Sequence, residues 1–342
     1  MKVSILFFLI LQMNKILFYS TLMMSSILAI SGISWVTVWI SLEMNLLSIM
    51  PLMKNKMKNT SEAMIKYFMI QAMASTILLF SILIFQLTKK MELINSAYFM
   101  LNSALFMKMG AAPFHFWYPE TLSGISWENN FIMLTWQKIA PMILITTIKF
   151  SIMFIFVFIT FSTLLGSLQS FNQICMRKFL GYSSINHIGW MLSTLLTSHT
   201  IWMFYFLIYS LISMNIVIIL QKLNIFYFNQ INGLLSFNLK LKFMYMLNFL
   251  SLSGLPPFLG FIPKWLIISH LAMNNLYALS MILIIFTLLA MYVYLRITFS
   301  TFSLFYKQMI FTLSGKITYF IYFLNFLTLM GSMIHILSTS FL

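Results

Sequence analysis

Four ionisable side chains lie inside apolar stretches of this sequence, and their chemistry needs an explanation. Glu43 falls in WVTVWISLEMNLLSIM, Lys108 in LFMKMGAAPFHFW, Lys138 in TWQKIAPM and Lys264 in GLPPFLGFIPKW. A charge at the centre of a bilayer costs roughly 2.5–3.5 kcal/mol on insertion scales, so such residues mark ion or proton pathways by default. The sequence therefore predicts that these four groups form a proton relay.

Each of the four also has a static interpretation. Glu43 could instead cap a neighbouring helix or meet a polar contact. Lys108 lies in the last turn before Pro113, where the negative end of a half-helix favours its charge. In the static interpretation of Lys108, its side chain extends to the membrane surface. Lys138 and Lys264 could be end-of-helix lysines at the interface, and Lys264 is expected beside the positive start of a half-helix.

Two histidines extend the predicted relay. His115 lies in GAAPFHFW, and His187 lies near the expected start of a helix in SSINHIGW. Histidine gains and loses its proton near neutral pH, which suits a relay. A structural hydrogen bond is the open alternative for His187.

Composition places the chain among membrane proteins. Its 342 residues are 61% hydrophobic and 7% charged, whereas soluble domains are about 25% charged. The apolar runs span roughly 18–25 residues, which is the length of a membrane helix. The sequence therefore predicts an all-α polytopic membrane protein. The net charge of +15 is typical of lysines that flank membrane helices, rather than of nucleic-acid binding.

Several kinds of site are excluded by the residue types. The single Cys175 cannot form an internal disulfide, a CxxC metal site or an iron–sulfur cluster, which needs several thiolates. All five acidic residues are glutamate, and the sequence contains no GxGxxG, Walker-type or HExxH motif. We therefore expect no redox centre, metal site or nucleotide site in this chain.

About eleven membrane helices are predicted, and two of them contain Gly/Pro interruptions. The predicted spans are roughly 15–33, 35–53, 61–87, 94–112, 129–149, 151–172, 180–197, 200–222, 240–272, 275–299 and 315–338. We expect helices 4 and 9 to be discontinuous, because GAAPFHFW occupies 110–117 and GLPPFLGF occupies 254–261.

The two interruptions suggest an internal repeat. Helices 1–5, at about 15–149, and helices 6–10, at about 151–299, each have the interrupted helix in fourth place. Because five is odd, the second unit would enter the membrane from the opposite face. Discontinuous helices at matching positions of inverted repeats point to a transport site. The sequence thus predicts one transmembrane domain, 15–338, with two inverted five-helix repeats and a final helix at about 315–338.

Residues 1–14 are expected to be an N-terminal extension of this domain. The chain starts with a basic residue and an apolar run from Val3 to Leu11, but the small residues of a cleavage site do not follow. An interfacial segment, or a start farther upstream, is favoured over a cleaved signal.

The basic residues predict an orientation. If the predicted spans are correct, twelve lysines and arginines lie on the side of the N-terminus and three lie on the other side. The twelve are Lys2, Lys15, Lys54, Lys56, Lys58, Arg177, Lys178, Lys222, Lys240, Lys242, Lys307 and Lys316, and the three are Lys89, Lys90 and Lys149. Basic residues accumulate on the inner side of a membrane, so the N-terminus is predicted inside and the C-terminus outside.

The motifs together resemble a known family. The segments WISLEMNLLSIMPL, KYFMIQAMAS, MKMGAAPFHFW, TWQKIAP, SSINHIGWM and SGLPPFLGFIPKW occur in this order over nearly the whole chain. They resemble the antiporter-like membrane subunits of NADH:ubiquinone oxidoreductase (respiratory complex I), of the chain 2 type that animal mitochondria encode. The resemblance implies an antiporter-like fold.

The resemblance also implies roles for individual residues. Glu43, Lys108, Lys138 and Lys264 match the family's buried glutamate and lysines, which form a hydrophilic axis through the membrane arm. From the residues alone, neither Glu43 nor Lys108 can stay charged cheaply at membrane depth without a partner, so each is expected to supply the other's countercharge, directly or through water. The one departure is the segment before Lys15, which the usual animal pattern lacks.

The implied activity is a proton path coupled to electron transfer from NADH to ubiquinone, which makes the chain a subunit of an H+-translocating enzyme. NADH, FMN, the iron–sulfur clusters and ubiquinone would all be bound in other subunits. The expected partners are the other membrane-arm subunits and the lipid bilayer of the mitochondrial inner membrane, with no nucleic acid and no functional homo-oligomer. A stand-alone cation/proton antiporter is the alternative, and a static membrane scaffold is a third.

Overall fold

All regular elements that the structure describes are α-helices. The structure is a computed structural model and describes residues 2–54, 59–87, 91–148, 151–230, 239–302, 322–326 and 328. Strand-like pairing in these residues is limited to a bridge between Cys175 and Tyr227. The chain forms two compact units, Met1–Ser151 and Ile152–Leu342. The predicted all-α class is confirmed.

Five helices in the described residues are long and apolar enough to cross a membrane. They are Trp35–Met53, Thr60–Leu87, Ile152–Ser170, His199–Lys222 and Tyr277–Phe299. Lys15–Ser31 and Phe261–Met273 are shorter apolar segments. The chain is therefore a membrane-spanning type.

The first unit is built from seven helices in its described residues. They are α1 (Lys2–Ser31), α2 (Trp35–Met53), α3 (Thr60–Leu87), α4 (Met91–Met109), α5 (Trp117–Gly124), α6 (Trp127–Leu134) and α7 (Trp136–Thr147). Helix α1 packs on α2, α3 packs on α4 and α5, and α4 packs on α7. Helix α1 is continuous from Lys2, so residues 2–14 extend the first predicted helix.

Helix α4 ends at the predicted interruption. Gly110 has a φ of 72°, a left-handed conformation that glycine adopts at little cost. Its N–H donates to the Met107 carbonyl at 3.1 Å, and the Ala111 N–H donates to the Phe106 carbonyl at 3.0 Å. These two bonds form a Schellman cap, which satisfies carbonyls that a helix end leaves open. The predicted discontinuity of helix 4 is confirmed.

A further break lies in the helix predicted at 129–149. Thr135 has φ −120° and ψ −71° and separates α6 from α7. Its hydroxyl donates to the Phe131 carbonyl at 2.7 Å. Threonine side chains compete in this way for backbone groups. The continuous helix predicted here is wrong, and Pro141 lies inside α7.

The second unit contains six long helices in its described residues. They are α8 (Ile152–Ser170), α9 (Met176–Leu195), α10 (His199–Lys222), α11 (Leu239–Ser253), α12 (Phe261–Met273) and α13 (Tyr277–Phe302). Helix α8 packs on α9 and α13, and α10 packs on α9, α11 and α12. Residues 322–326 are also helical; most of the predicted final helix, 315–338, lies outside the described residues.

The predicted discontinuity of helix 9 is also confirmed. Gly254 has a φ of 79°. Its N–H donates to the Ser251 carbonyl at 3.1 Å, and the Leu255 N–H donates to the Leu250 carbonyl at 3.4 Å. This is the same cap as at Gly110.

Helices α8 and α9 pack through small residues. A Cβ atom added at Gly166 would lie 2.6 Å from the Asn186 backbone nitrogen, and one added at Gly189 would lie 2.5 Å from the Thr163 methyl group. Small residues let membrane helices approach closely enough for backbone contact. The spacing of α8 and α9 therefore depends on both glycines.

We predict that Gly166→Leu destabilises the second unit. The new side chain has no space against Asn186, and overpacking of this kind typically costs about 1–3 kcal/mol. The control is Val157→Leu on the same helix, at a position that is 45% exposed. Thermal denaturation of the detergent-solubilised protein should show a lower midpoint for Gly166→Leu alone; equal midpoints would contradict the packing argument.

Candidate proton-transfer site

Glu43 and Lys108 belong to the same unit but do not form a direct ion pair. Glu43 lies in α2 and is half-buried, and its Oε1 atom is buried without a hydrogen-bond partner in the described residues. Lys108 lies in the last turn of α4 and is 7% exposed. The two groups interact electrostatically, yet no ion pair within 4.0 Å joins them. The expected countercharge is thus present at longer range, and Lys108 is buried rather than extended to a surface.

A small polar cavity adjoins Lys108. It lies between α2, α3, α4 and α7, and its lining residues are Leu42, Asn45, Leu46, Tyr67, Gln71, Lys108, Gln137 and Pro141. The cavity offers about 10 Å³ to the centres of water molecules, which is about the room that one water needs. Lys108 therefore lies beside a site that accommodates water.

Two amide contacts define this cavity. Asn45 Nδ2 donates to Gln137 Oε1 at 3.0 Å, and Gln137 Nε2 donates to Asn45 Oδ1 at 3.2 Å. Gln71 Nε2 donates to the Lys108 carbonyl at 3.2 Å. The first pair joins α2 to α7, and the second contact satisfies a carbonyl at the end of α4.

Lys138 is more fully buried than Lys108 and lies over an aromatic ring. It is 1% exposed, and its Nζ lies 5.4 Å from the centroid of the Tyr118 ring. A cation over an aromatic face is stabilised by the ring quadrupole. Tyr118 also donates its hydroxyl to the Met133 carbonyl at 3.0 Å, so the ring is fixed in place. The structure therefore buries Lys138 instead of bringing it to an interface.

His115 lies inside the first break. It is fully buried, and its Nδ1 lies 3.3 Å from the Pro113 carbonyl oxygen. Its ring centroid lies 4.4 Å from that of Phe116. The structure thus places His115 within the interruption, as the sequence predicts. In the tautomer with a proton on Nδ1, the ring donates to the Pro113 carbonyl.

Lys264 is positioned differently from the expectation. It is the fourth residue of α12, so its backbone does lie at the start of a half-helix. Its Nζ, however, donates to the Ser253 carbonyl at 2.8 Å and the Leu252 carbonyl at 3.4 Å, at the end of α11. The negative end of a helix favours a cation. The expectation that the charge faces a positive helix end is therefore wrong, because the long side chain crosses the break.

The crossing of Lys264 depends on a glycine and a tryptophan. A Cβ atom added at Gly254 would lie 2.8 Å from Lys264 Cδ, so only glycine leaves room for the lysine stem. The ring centroid of Trp190, in α9, lies 5.7 Å from Lys264 Nζ. Lys264 is 8% exposed, and its charge is compensated by carbonyls and a ring.

His187 lies in the middle of α9 and not near a helix start, because α9 begins at Met176. Its Nδ1 lies 2.7 Å from the Tyr205 hydroxyl oxygen, and the Tyr209 ring lies against it with centroids 4.9 Å apart. The hydrogen bond of the static interpretation is present. His187 also lines a cavity with Ser251, Leu252, Gly260 and Pro263, beside the second break.

The two breaks share the spacing of their glycine, two prolines and helix restart. From Gly110 and from Gly254 alike, a proline lies at the third position, a helix restarts at the seventh and another proline lies at the ninth. The second break has one more proline, Pro256. The tenth position is Glu120 in the first unit and Lys264 in the second. Glu120 accepts from Lys66 at 2.8 Å, and Lys66 also pairs with Glu62 at 2.6 Å. Equivalent positions thus carry opposite charges.

Sequence reasoning missed the neutral residues of these sites. Tyr118, Gln71 and the Asn45–Gln137 pair are ordinary in type, and only their contacts show what they do. Asn45 and Gln71 are amides within mostly apolar segments, SLEMNLLSIM and YFMIQAMA, which is the signal that the sequence did offer. Among the described residues, no three His, Cys, Asp or Glu side chains come together in a way that could hold a metal ion.

Comparisons with known proteins agree with the motifs. A family model described as "NADH:quinone oxidoreductase/Mrp antiporter, TM" matches residues 32–291. The chain is 46% identical over 303 residues to NADH-ubiquinone oxidoreductase chain 2 of Anopheles gambiae, covering 87% of this chain and 88% of that protein. It is 43% identical over 332 residues to the protein of the same name from Locusta migratoria, covering 96% and 97%.

A solved structure shows the same fold at low identity. In respiratory complex I from Thermus thermophilus with bound aureothin, one chain superposes with a TM-score of 0.82. The superposition covers 94% of this chain and 76% of that chain at 22% identity. The resemblance inferred from the motifs is thereby confirmed. The chain belongs to the NADH:quinone oxidoreductase/Mrp antiporter transmembrane family, and within it to the group of NADH-ubiquinone oxidoreductase chain 2.

Proposed function

We propose that this chain is a membrane subunit of NADH:ubiquinone oxidoreductase (H+-translocating) and carries a proton path coupled to electron transfer in other subunits. The observation that carries the proposal is a buried lysine at each of two broken helices, in a chain of this family. Lys108 is 7% exposed at the end of α4, and Lys264 is 8% exposed against the end of α11. Burial of an ion is costly unless partners compensate for it, so lysines in such places mark functional sites.

Glu43, Lys108 and Lys138 are proposed as the relay groups of the first unit, with His115 as an extension inside the break. Two unit charges about 6 Å apart interact by roughly 2.8 kcal/mol at an effective dielectric of about 20, and separation to about 10 Å removes roughly 1.1 kcal/mol. Movement of one charge against about 100 mV costs about 2.3 kcal/mol. Several coupled steps per proton are therefore required, which favours a row of groups over a single pair.

Lys264 and His187 are proposed as the relay groups of the second unit. The cavity that His187 lines includes Leu252, whose carbonyl accepts from Lys264. This shared neighbour supports a proton step between the two groups. Lys264 has a second role in this proposal, because its ammonium group also neutralises the end of α11.

We further propose the predicted architecture of eleven membrane helices with two inverted five-helix repeats, about 15–149 and 151–299, followed by a helix at about 315–338. Two observations support it. The compact units divide at Ser151 and Ile152, and the breaks at Gly110 and Gly254 agree in cap, spacing and prolines. Residues 1–14 are proposed to precede this single domain.

The proposed location is the mitochondrial inner membrane, with the N-terminus in the matrix and the C-terminus in the intermembrane space. The basic-residue bias supports this orientation, and the curated relatives are chain 2 proteins of animals. The proposed partners are the other membrane-arm subunits and the bilayer. NADH, FMN, iron–sulfur clusters and ubiquinone are assigned to other subunits of the complex.

A stand-alone cation/proton antiporter is the second candidate, and the family model supports it because its description includes Mrp antiporters. Extraction in mild detergent followed by native electrophoresis separates the two candidates. We expect the chain to migrate with a large assembly that has NADH dehydrogenase activity. Migration of the intact chain by itself, together with cation/proton exchange in vesicles, would favour the antiporter.

We predict that Lys108→Met leaves NADH oxidation by the peripheral subunits intact when an added electron acceptor replaces quinone, but lowers proton pumping and coupled quinone reduction. Methionine keeps the length and apolar bulk of the side chain and removes the titratable amine. Lys108→Arg should also impair pumping, because arginine does not release its proton. The measurement is proton uptake into vesicles at matched amounts of assembled complex.

The control for Lys108 is Lys54→Met, which removes the same charge from an exposed residue at the end of α2 and should pump like the parent. Parental pumping in Lys108→Arg would show that Lys108 is a fixed positive charge. Parental pumping in Lys108→Met would remove Lys108 from the path altogether.

We predict that the two roles of Lys264 separate in its variants. Lys264→Met leaves the Leu252 and Ser253 carbonyls without their donor, and a buried group in that state costs about 1–3 kcal/mol, so assembly should fall. Lys264→Arg retains N–H donors and should restore assembly, but not pumping. Full pumping by Lys264→Arg at matched assembly would reduce Lys264 to a helix cap.

A further inference from the structure

The cavity beside Lys108 is bounded by an amide pair that the relay does not use. Asn45 and Gln137 exchange two hydrogen bonds of 3.0 and 3.2 Å between α2 and α7. Each amide has two N–H donors and a carbonyl with two lone pairs. The mutual bonds use one donor and one lone pair of each, so both amides keep capacity for a water molecule.

The Asn45–Gln137 pair connects two helices that carry relay groups, α2 with Glu43 and α7 with Lys138. Asn45 lies two residues after Glu43 on α2, and Gln137 directly precedes Lys138 on α7. Lys108 lies on a third helix and lines the same cavity. A change in the distance between α2 and α7 would therefore alter the surroundings of all three relay groups at once.

Two backbone features make the cavity polar. Pro141 lacks an N–H, so the Gln137 carbonyl four residues earlier has no donor from the helix at that position; both residues line the cavity. On the opposite side, Gln71 binds the Lys108 carbonyl at 3.2 Å and so fixes the last turn of α4. A water in this space has several polar groups within its walls, as buried waters require.

We propose that the Asn45–Gln137 pair is a positioning element for proton transfer at Lys108. The pair holds α2 and α7 at the separation at which one water bridges the lysine amine to the next relay group of the first unit. The proton travels through that water, and the amides do not change protonation state. Gln71, through its hydrogen bond to the Lys108 carbonyl, fixes the lysine end of this water bridge. This inference rests on the proposed function, since it assumes that Lys108 transfers protons.

Three variants test the pair in the assembled complex. Gln137→Leu removes the amide at similar volume, and Gln137→Asn keeps the amide but shortens it by one methylene. The double variant Asn45→Gln with Gln137→Asn exchanges the two side chains and retains their combined length. The control is Asn129→Leu, which removes another buried amide contact within the same unit, from Asn129 Nδ2 to the Leu52 carbonyl at 2.7 Å.

Two readouts separate positioning from packing. They are the number of protons pumped per NADH oxidised and the ratio of quinone reduction rates in H2O and D2O, both at matched amounts of assembled complex. We expect Gln137→Leu and Gln137→Asn to slow coupled quinone reduction by roughly tenfold or more, with fewer protons per NADH and a larger isotope ratio. The exchanged pair should recover much of both readouts, and Asn129→Leu should keep parental values.

The outcomes distinguish this inference from the proposed function. If Lys108→Met is impaired while Gln137→Leu and Gln137→Asn both pump with parental stoichiometry and isotope ratio, the pair only packs α2 against α7 and the inference fails. If Lys108→Met itself pumps like the parent, Lys108 is removed from the proposed proton path, and the failure lies in that part of the proposed function. If Gln137→Leu does not assemble, Gln137→Asn and the exchanged pair decide by the same two readouts.

Discussion

The whole arrangement depends on how helix ends are satisfied away from water. An α-helix leaves its last carbonyls without backbone donors, and in apolar surroundings each of these costs free energy unless it finds a partner. Helices α4 and α11 both end at a glycine in the left-handed conformation, which satisfies two carbonyls through a Schellman cap. Side chains donate to other carbonyls at these two helix ends. Which side chain does so determines where each functional lysine lies.

The two units solve this problem in different ways. In the first, the neutral Gln71 amide binds the carbonyl of Lys108, so the lysine side chain is left to the polar cavity. In the second, Lys264 itself binds the end of α11. The charge of Lys264 is therefore coupled to the integrity of the helix end, whereas the charge of Lys108 is not. This difference explains why we expect substitution of Lys264, but not of Lys108, to affect assembly.

The sequence contained the signals for the breaks and the buried ions, but not for the contacts. Gly110 and Gly254 followed by prolines predicted both discontinuities, because glycine and proline act through the local backbone. The break at Thr135 was missed, since a threonine inside an apolar run carries little local signal and its hydroxyl bond to Phe131 appears only in the fold. The direction of the Lys264 side chain was wrong for a similar reason: helix position gives the backbone environment, whereas a four-carbon stem reaches the next helix. The lack of a direct Glu43–Lys108 pair likewise depends on distances between helices.

The close packing of α8 against α9 affects where water can enter the second unit. Gly166 and Gly189 leave no room for even a methyl group between the helices. The hydroxyls at this crossing are turned to their own helix, because both Ser162 and Thr163 donate to the Ile159 carbonyl. A file of waters, along which protons conduct, has no space at these two positions. The crossing is thus closed to a water-borne proton path at these two positions of the second unit, and a proton gradient is kept by such dry contacts as much as it is built by a conducting path.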